Sequence, residues 1–211
     1  MTERDPAALV EEMRRYIRNK VAAGFLDADE IAEAAFDCFS DDLADARLEA
    51  AMLRRLAGIE TDKAFVERLD RQRQWPAVTD CDRLDQAFAD LDRSGIVARQ
   101  NFTCCQNCGH AEIGDEIAAA EESGIRPIGY TFFHWQTTDR VVEDGNLYLY
   151  YGAVAGDGAA SVRVGRAIVE TLERHCLAVE WNGTLDKAIH VRLKWQRRVS
   201  QQMAERDSRM R

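Results

Sequence analysis

Through the first third of the chain, apolar positions recur at three- and four-residue intervals, the spacing that lines one face of a helix. Leu9, Val10, Met13, Tyr16, Ile17 and Val21 form the first such stripe, which Gly24 ends. Asp27 with Glu30 three residues on predicts a second start, a carboxylate version of the capping box. Ile31, Ala35, Cys38 and Phe39 continue it as a buried face. A third helix is expected on Leu48, Met52 and Leu56, stopping at Gly58, and a fourth on Phe65, Val66 and Leu69. Trp75-Pro76 breaks the pattern, because a proline drives the residue before it out of helical dihedrals. Residues 1–75 therefore read as an all-helical N-terminal segment.

Beyond the break, Thr79 or Asp80 can cap a helix that turns Leu84, Phe88 and Leu91 inward and closes at Gly95. Short apolar strands then alternate with helices. Strands are predicted over 96–102, 126–133, 147–151 and 177–181, with helices on Ile113, Ile117 and Ala120 and on Val164, Ile168 and Leu172. Asn182-Gly183 suits a hairpin turn that needs positive φ, and Ile189, Val191 and Leu193 alternate as the last strand. The order β-α-β-β-α-β-β predicts an α+β domain over 76–195, a ferredoxin-like antiparallel sheet with both helices on one face. Residues 196–211 remain as a basic C-terminal tail.

Composition narrows the setting. With 211 residues, 46% of them apolar and 31% charged, the chain can bury a core as a globular protein, and no apolar run reaches membrane-spanning length. The beginning, Met1 to Pro6, lacks the basic and then apolar pattern of a secretory signal, so a cytoplasmic location is expected. A net charge of −9 argues against nucleic acid or an anionic membrane as partner, leaving a protein partner or a second copy of the chain. The exception is local: from Lys194 onward six basic residues face two acidic ones, read as a solvated tail.

The six cysteines, reduced in the cytoplasm, are metal ligands, reactive thiols or small buried residues rather than a disulfide framework. Three of them, Cys104, Cys105 and Cys108, fall with His110 in one loop between a predicted strand and a predicted helix. In the expected topology the loop after the first strand and His134 after the second reach the same rim, as do His175 and Cys176 after the second long helix. Cys105 and Cys108, at Cys-x-x-Cys spacing, are half of a tetrahedral zinc site, with His134 the expected imidazole and Cys104 or His110 next in line. The alternative is a dithiol, since a helix start lowers a thiol pKa. Cys104 and Cys105, as strand neighbours, are expected to point to opposite sides, one of them into packing. Cys38 is expected in the core and His190 toward solvent, and the tyrosines at 148, 150 and 151 read as sheet packing. No nucleotide or flavin motif is present.

The motifs Thr79-Asp80-Cys81-Asp82-Arg83-Leu84, Asn101-Phe102-Thr103-Cys104-Cys105-Gln106-Asn107-Cys108-Gly109, Gly129-Tyr130 with Phe132-Phe133-His134, and Leu147-Tyr148-Leu149 with Tyr151-Gly152 resemble an uncharacterised bacterial family built on a domain of unknown function. The likeness runs from about Trp75 to Trp195. It implies that the thiol loop and His134 matter, and brings no activity with it. The family pattern follows the histidine with Gln-Gln-Asp-Thr, where this chain has Trp135-Gln136-Thr137-Thr138, and it has a small residue at the place of Cys176.

Three readings stand at this point. The first is a zinc or similar metal held by Cys105, Cys108 and His134. The second is a redox protein using Cys105 and Cys108. The third is a regulatory or protein-binding module whose cysteines only pack.

Overall fold

A computed structural model describes residues 5–42 and 49–206. It divides into two compact units: residues up to Pro76 together with those from Gln196 onward, and Ala77–Trp195. Eight helices and one five-stranded sheet lie among the described residues.

The first unit is helical. α1 (Pro6–Ala23) starts where Asp5 accepts a hydrogen bond from the Ala7 N–H and stops at Gly24, whose φ of +75° suits glycine. α2 (Ala28–Ser40) begins on the expected capping box of Asp27 and Glu30. Leu9, Met13 and Ile17 pack with Ile31, Ala35 and Phe39 and with Leu53 and Phe65 of α3 (Ala50–Gln72) into one apolar core. Two expectations change here. Cys38 is exposed, because the buried arc of α2 runs through Ala28, Ile31, Ala32, Ala35 and Phe39 and position 38 falls just outside it. The two short helices expected around Gly58 are one helix. Gly58 sits inside it because a Cβ there would come within 2.8 Å of Arg206 Cζ. Leu48 lies outside the described residues. The segment read as a basic tail packs as far as it is described: Val199 is buried in the helical core, and its N–H donates to Gln72 Oε1 at 3.0 Å. The short α8 (Gln201–Ala204) follows.

The second unit opens with α4 (Asp80–Arg93), capped by Thr79 and Asp82, its face of Cys81, Leu84, Ala87, Phe88 and Leu91 buried. β1 (Ile96–Arg99), α5 (Gln106–Glu122), β2 (Gly129–Phe132), α6 (Trp135–Asp144), β3 (Asn146–Ala153), α7 (Gly158–Arg174), β4 (Ala178–Glu180) and β5 (Ile189–Arg192) follow. The strands lie in the order β1-β2-β3-β5-β4.

The class is mixed α+β as expected, but the strand order is not the ferredoxin-like one. A split β-α-β unit holds another strand between its two parallel strands, whereas β1 and β2 pair directly, Val97 with Tyr130 and Arg99 with Phe132. The remaining pairings are antiparallel. α6, absent from the sequence reading, stands between β2 and β3. It escaped notice because much of its inward face is threonine: Thr137 and Thr138 are buried beside Val141.

Nor do the helices share one face. Alternate residues of a strand point to opposite sides. Phe132 packs toward α5, where a Cβ on Gly109 would strike its ring, while a Cβ on Gly129 would meet Val164 of α7 at 2.6 Å. Phe88 of α4 meets Phe133 edge-on at 5.9 Å, on the α7 side. α4 and α7 are joined there by His175 Nε2 and Asp90 Oδ2 at 2.7 Å.

Two outcomes test this packing. Gly109→Ala should destabilise the second unit by about 1–3 kcal/mol, read from denaturant unfolding, since the added methyl has no space beside Phe132. Asp90 is held below its ordinary carboxyl range by the His175 hydrogen bond, with Arg93 adding its charge. A lowered folded pKa means stability that is full above the unfolded carboxyl pKa and lost as pH falls through the folded one. Acid titration of unfolding should therefore show a weaker loss for Asp90→Asn than for the native chain.

Candidate metal and thiol site

Gln100 to Cys105 link β1 to α5, and two of these residues take a backbone that side chains resist. Asn101 has φ +50° and Thr103 φ +52°. For a β-branched residue this conformation is strained and persists only when its surroundings impose it. The restraint comes from the segment after β2. The Phe102 N–H donates to Phe133 O at 2.8 Å, the Trp135 N–H donates to Thr103 O at 3.2 Å, and the Thr138 hydroxyl donates to Asn101 Oδ1 at 2.8 Å. Parallel pairing brings both loops to one edge, and these three bonds stitch them together.

The loop delivers three sulfurs to one place. The Sγ atoms of Cys104, Cys105 and Cys108 all lie within 4.8 Å of one another, with Cys104 and Cys108 3.3 Å apart. The expectation that one of the doubled cysteines is buried packing fails. The pair lies in a loop, not a strand; Cys104 is exposed, Cys105 half-buried, and both sulfurs join the group. Cys105 is the N-cap of α5 and Cys108 sits in its first turn. No side-chain hydrogen bond caps this helix start. Even so, the Cys108 backbone N–H, then the Cys108 and Cys104 thiols, favour the Cys105 thiolate and hold its pKa below the ordinary thiol value. Cys108 moves the other way, pushed up to about 12 by the neighbouring sulfurs of Cys104 and Cys105. Within the cluster, then, the Cys105 thiolate is favoured and the Cys108 thiol keeps its proton.

The histidines stand apart from the three sulfurs. His134 is the N-cap of α6, 6% exposed, stacked on Tyr150 with ring centroids 5.3 Å apart, and its Nε2 lies 3.2 Å from the Thr137 hydroxyl. Burial first, then the charge of Arg140, lowers its pKa. His110 meets Phe132 edge-on at 5.2 Å, and its Nδ1 lies 3.3 Å from the Tyr130 hydroxyl. Its outer edge is exposed, yet burial of the rest of the ring lowers its pKa too. Among the described residues, the group able to hold a metal consists of the three cysteines. His175 is committed to Asp90 on the α4 and α7 side of the sheet, away from α5. His190, expected toward solvent, is half-buried, stacked on Tyr148 at 4.8 Å with Nε2 2.9 Å from Asn146 Oδ1.

The sequence reading missed the surroundings of His110. Tyr130, Phe132 and Tyr150 share one sheet face and form an aromatic floor, Phe132 tilted on Tyr150 at 5.6 Å. The alternation of 130 with 132 and of 148 with 150 carried that signal. What it lacked was the pairing of Phe132 with Tyr150 across two strands.

The family described as Domain of unknown function (DUF6891) matches residues 6–199. The chain belongs to this family. The match covers the helical unit as well as the sheet, so the DUF6891 domain takes in both units of the fold. No curated protein matches the chain, and no solved structure does. No helix among the described residues is long and apolar enough to cross a membrane.

Mapping of iodoacetamide adducts against pH tests the electrostatics. Cys105 should reach its maximal rate at a lower pH than a cysteine in a free peptide, because its thiolate is favoured, and Cys108 should lag it throughout. Thr138→Val, which removes the tie to Asn101, should cost about 1 kcal/mol of unfolding free energy and speed alkylation of the loop.

Proposed function

We propose that the protein holds a zinc-type metal ion on Cys104, Cys105 and Cys108. The carrying observation is the gathering of three sulfurs within 4.8 Å at a helix start. Tetrahedral zinc with bonds of about 2.3 Å sets its sulfurs about 3.8 Å apart. Closing three side chains of this loop onto one ion changes their separations by up to about 1 Å. Thiolates are soft donors suited to zinc. The fourth position falls to water, because the rings of His110 and His134 are engaged with tyrosines and with Thr137. An ion with three protein ligands and one water has the open coordination of a catalytic rather than a purely structural centre. The chain then belongs in a reducing compartment, the cytoplasm, where the thiolates stay available.

One observation favours a second reading. Cys104 Sγ and Cys108 Sγ, already 3.3 Å apart, can join in a disulfide if an oxidant accepts two electrons, two protons leaving with them. In this reading the pair that closes is Cys104 with Cys108.

Metal analysis after purification without chelator or a nickel column separates the two. The metal reading expects about one zinc per chain, lost in Cys105→Ser. Zinc uptake should release protons and weaken as pH falls, because the Cys108 proton, bound with a pKa of about 12, must leave before its sulfur can ligate. Protein free of zinc that loses two thiols reversibly to a Cys104–Cys108 bond would establish the second reading instead.

A further inference from the structure

A cleft of about 420 Å³ opens next to the cysteine loop, between the first turns of α5, the face of the sheet that carries Tyr130 and Tyr150, and the loop joining β4 to β5. Its size is that of a small-molecule site. Gln106 and His110, one turn apart on α5, form one side, and Asp186 and Lys187 the other.

Most polar groups on this wall already have partners. The Tyr151 hydroxyl donates to Thr184 O at 2.9 Å, Ser161 Oγ accepts from the Ala153 N–H at 3.1 Å, and Tyr130 is engaged with His110. Asp186, the acidic residue of the wall, accepts from the Thr184 hydroxyl. Two donors remain. The Gln106 amide and the Lys187 ammonium have no hydrogen bond or ion pair among the described residues. Lys187 is near enough to Asp186 for its charge to be felt there, but forms no ion pair with it. An amide and an ammonium facing an aromatic floor match an acceptor-only group attached to a flat body.

We propose that this cleft binds a small planar carboxylate, its oxygens on Lys187 Nζ and the Gln106 amide and its flat body against Tyr130 and Tyr150. Burial keeps the phenols of Tyr130, Tyr150 and Tyr151 neutral, so they do not repel an anion. His110 stands at the boundary with the cysteines: it lines the cleft and lies two residues beyond Cys108. The site does not depend on a metal.

Titration of the full chain with benzoate, followed by the ring-proton shifts of His110 and Tyr130, tests the proposal. Saturable shifts are expected. Lys187→Gln should weaken binding about tenfold and Lys187→Arg should restore most of it, while Gln106→Ala should weaken it by a smaller factor. The Cys105→Ser, Cys108→Ser double variant should bind benzoate as the native chain does, which keeps this outcome separate from that of the metal site. Absence of a saturable shift, an unchanged affinity in Lys187→Gln, or equal binding of neutral benzamide would each overturn the carboxylate assignment. Equal binding of acetate would overturn the planar one.

Discussion

The candidate site depends on the direct parallel pairing of β1 and β2. Parallel neighbours end at the same edge of a sheet, so the segments that leave them must run side by side. Here they are bonded to one another through the Phe102 N–H and Phe133 O, the Trp135 N–H and Thr103 O, and the side chains of Thr138 and Asn101. That stitching holds Asn101 and Thr103 in left-handed backbone and turns the chain sharply enough for three nearby sulfurs to face one point. Were another strand inserted between β1 and β2, the two loops would be separated by two strand spacings, roughly 10 Å, and none of these bonds would form.

The same edge divides into two chemical environments. On one side the sulfurs lie at a solvent-accessible helix start, where backbone N–H groups and neighbouring thiols favour the Cys105 thiolate while the pKa of the Cys108 thiol is pushed up. On the other, His110 and His134 are packed among tyrosines and Phe132, and burial leaves both rings disposed to be neutral. The first environment offers a cluster of soft sulfur donors, the second a flat aromatic surface. Gln106 and His110, on the helix that also carries Cys108, belong to both neighbourhoods.

α6 positions the segment that follows β2. Ten helical residues between β2 and β3 place His134 at a helix start, where its carbonyl accepts from the Thr137 and Thr138 N–H groups. The two threonines then hold the site from below, Thr137 against the His134 ring and Thr138 to Asn101. This short helix is a device for aiming residues, and its buried polar face serves that purpose better than an apolar one would.

Local chemistry was readable along the chain. The capping box at Asp27, the helix cap near Thr79, the glycine stop at Gly24, the buried stripe of Leu84, Phe88 and Leu91, and the concentration of thiols before a helix all follow from neighbours within a few residues, which sequence spacing states directly. Tertiary structure alone decided which strands pair, which face α5 covers, that Gly58 sits inside a helix to make room for Arg206, that Cys38 falls outside its buried arc, and that the three sulfurs converge while the histidines turn toward the tyrosines. Each of those depends on contacts between residues far apart in the chain. Periodicity tells a residue which side of its own element it occupies, but not what stands opposite.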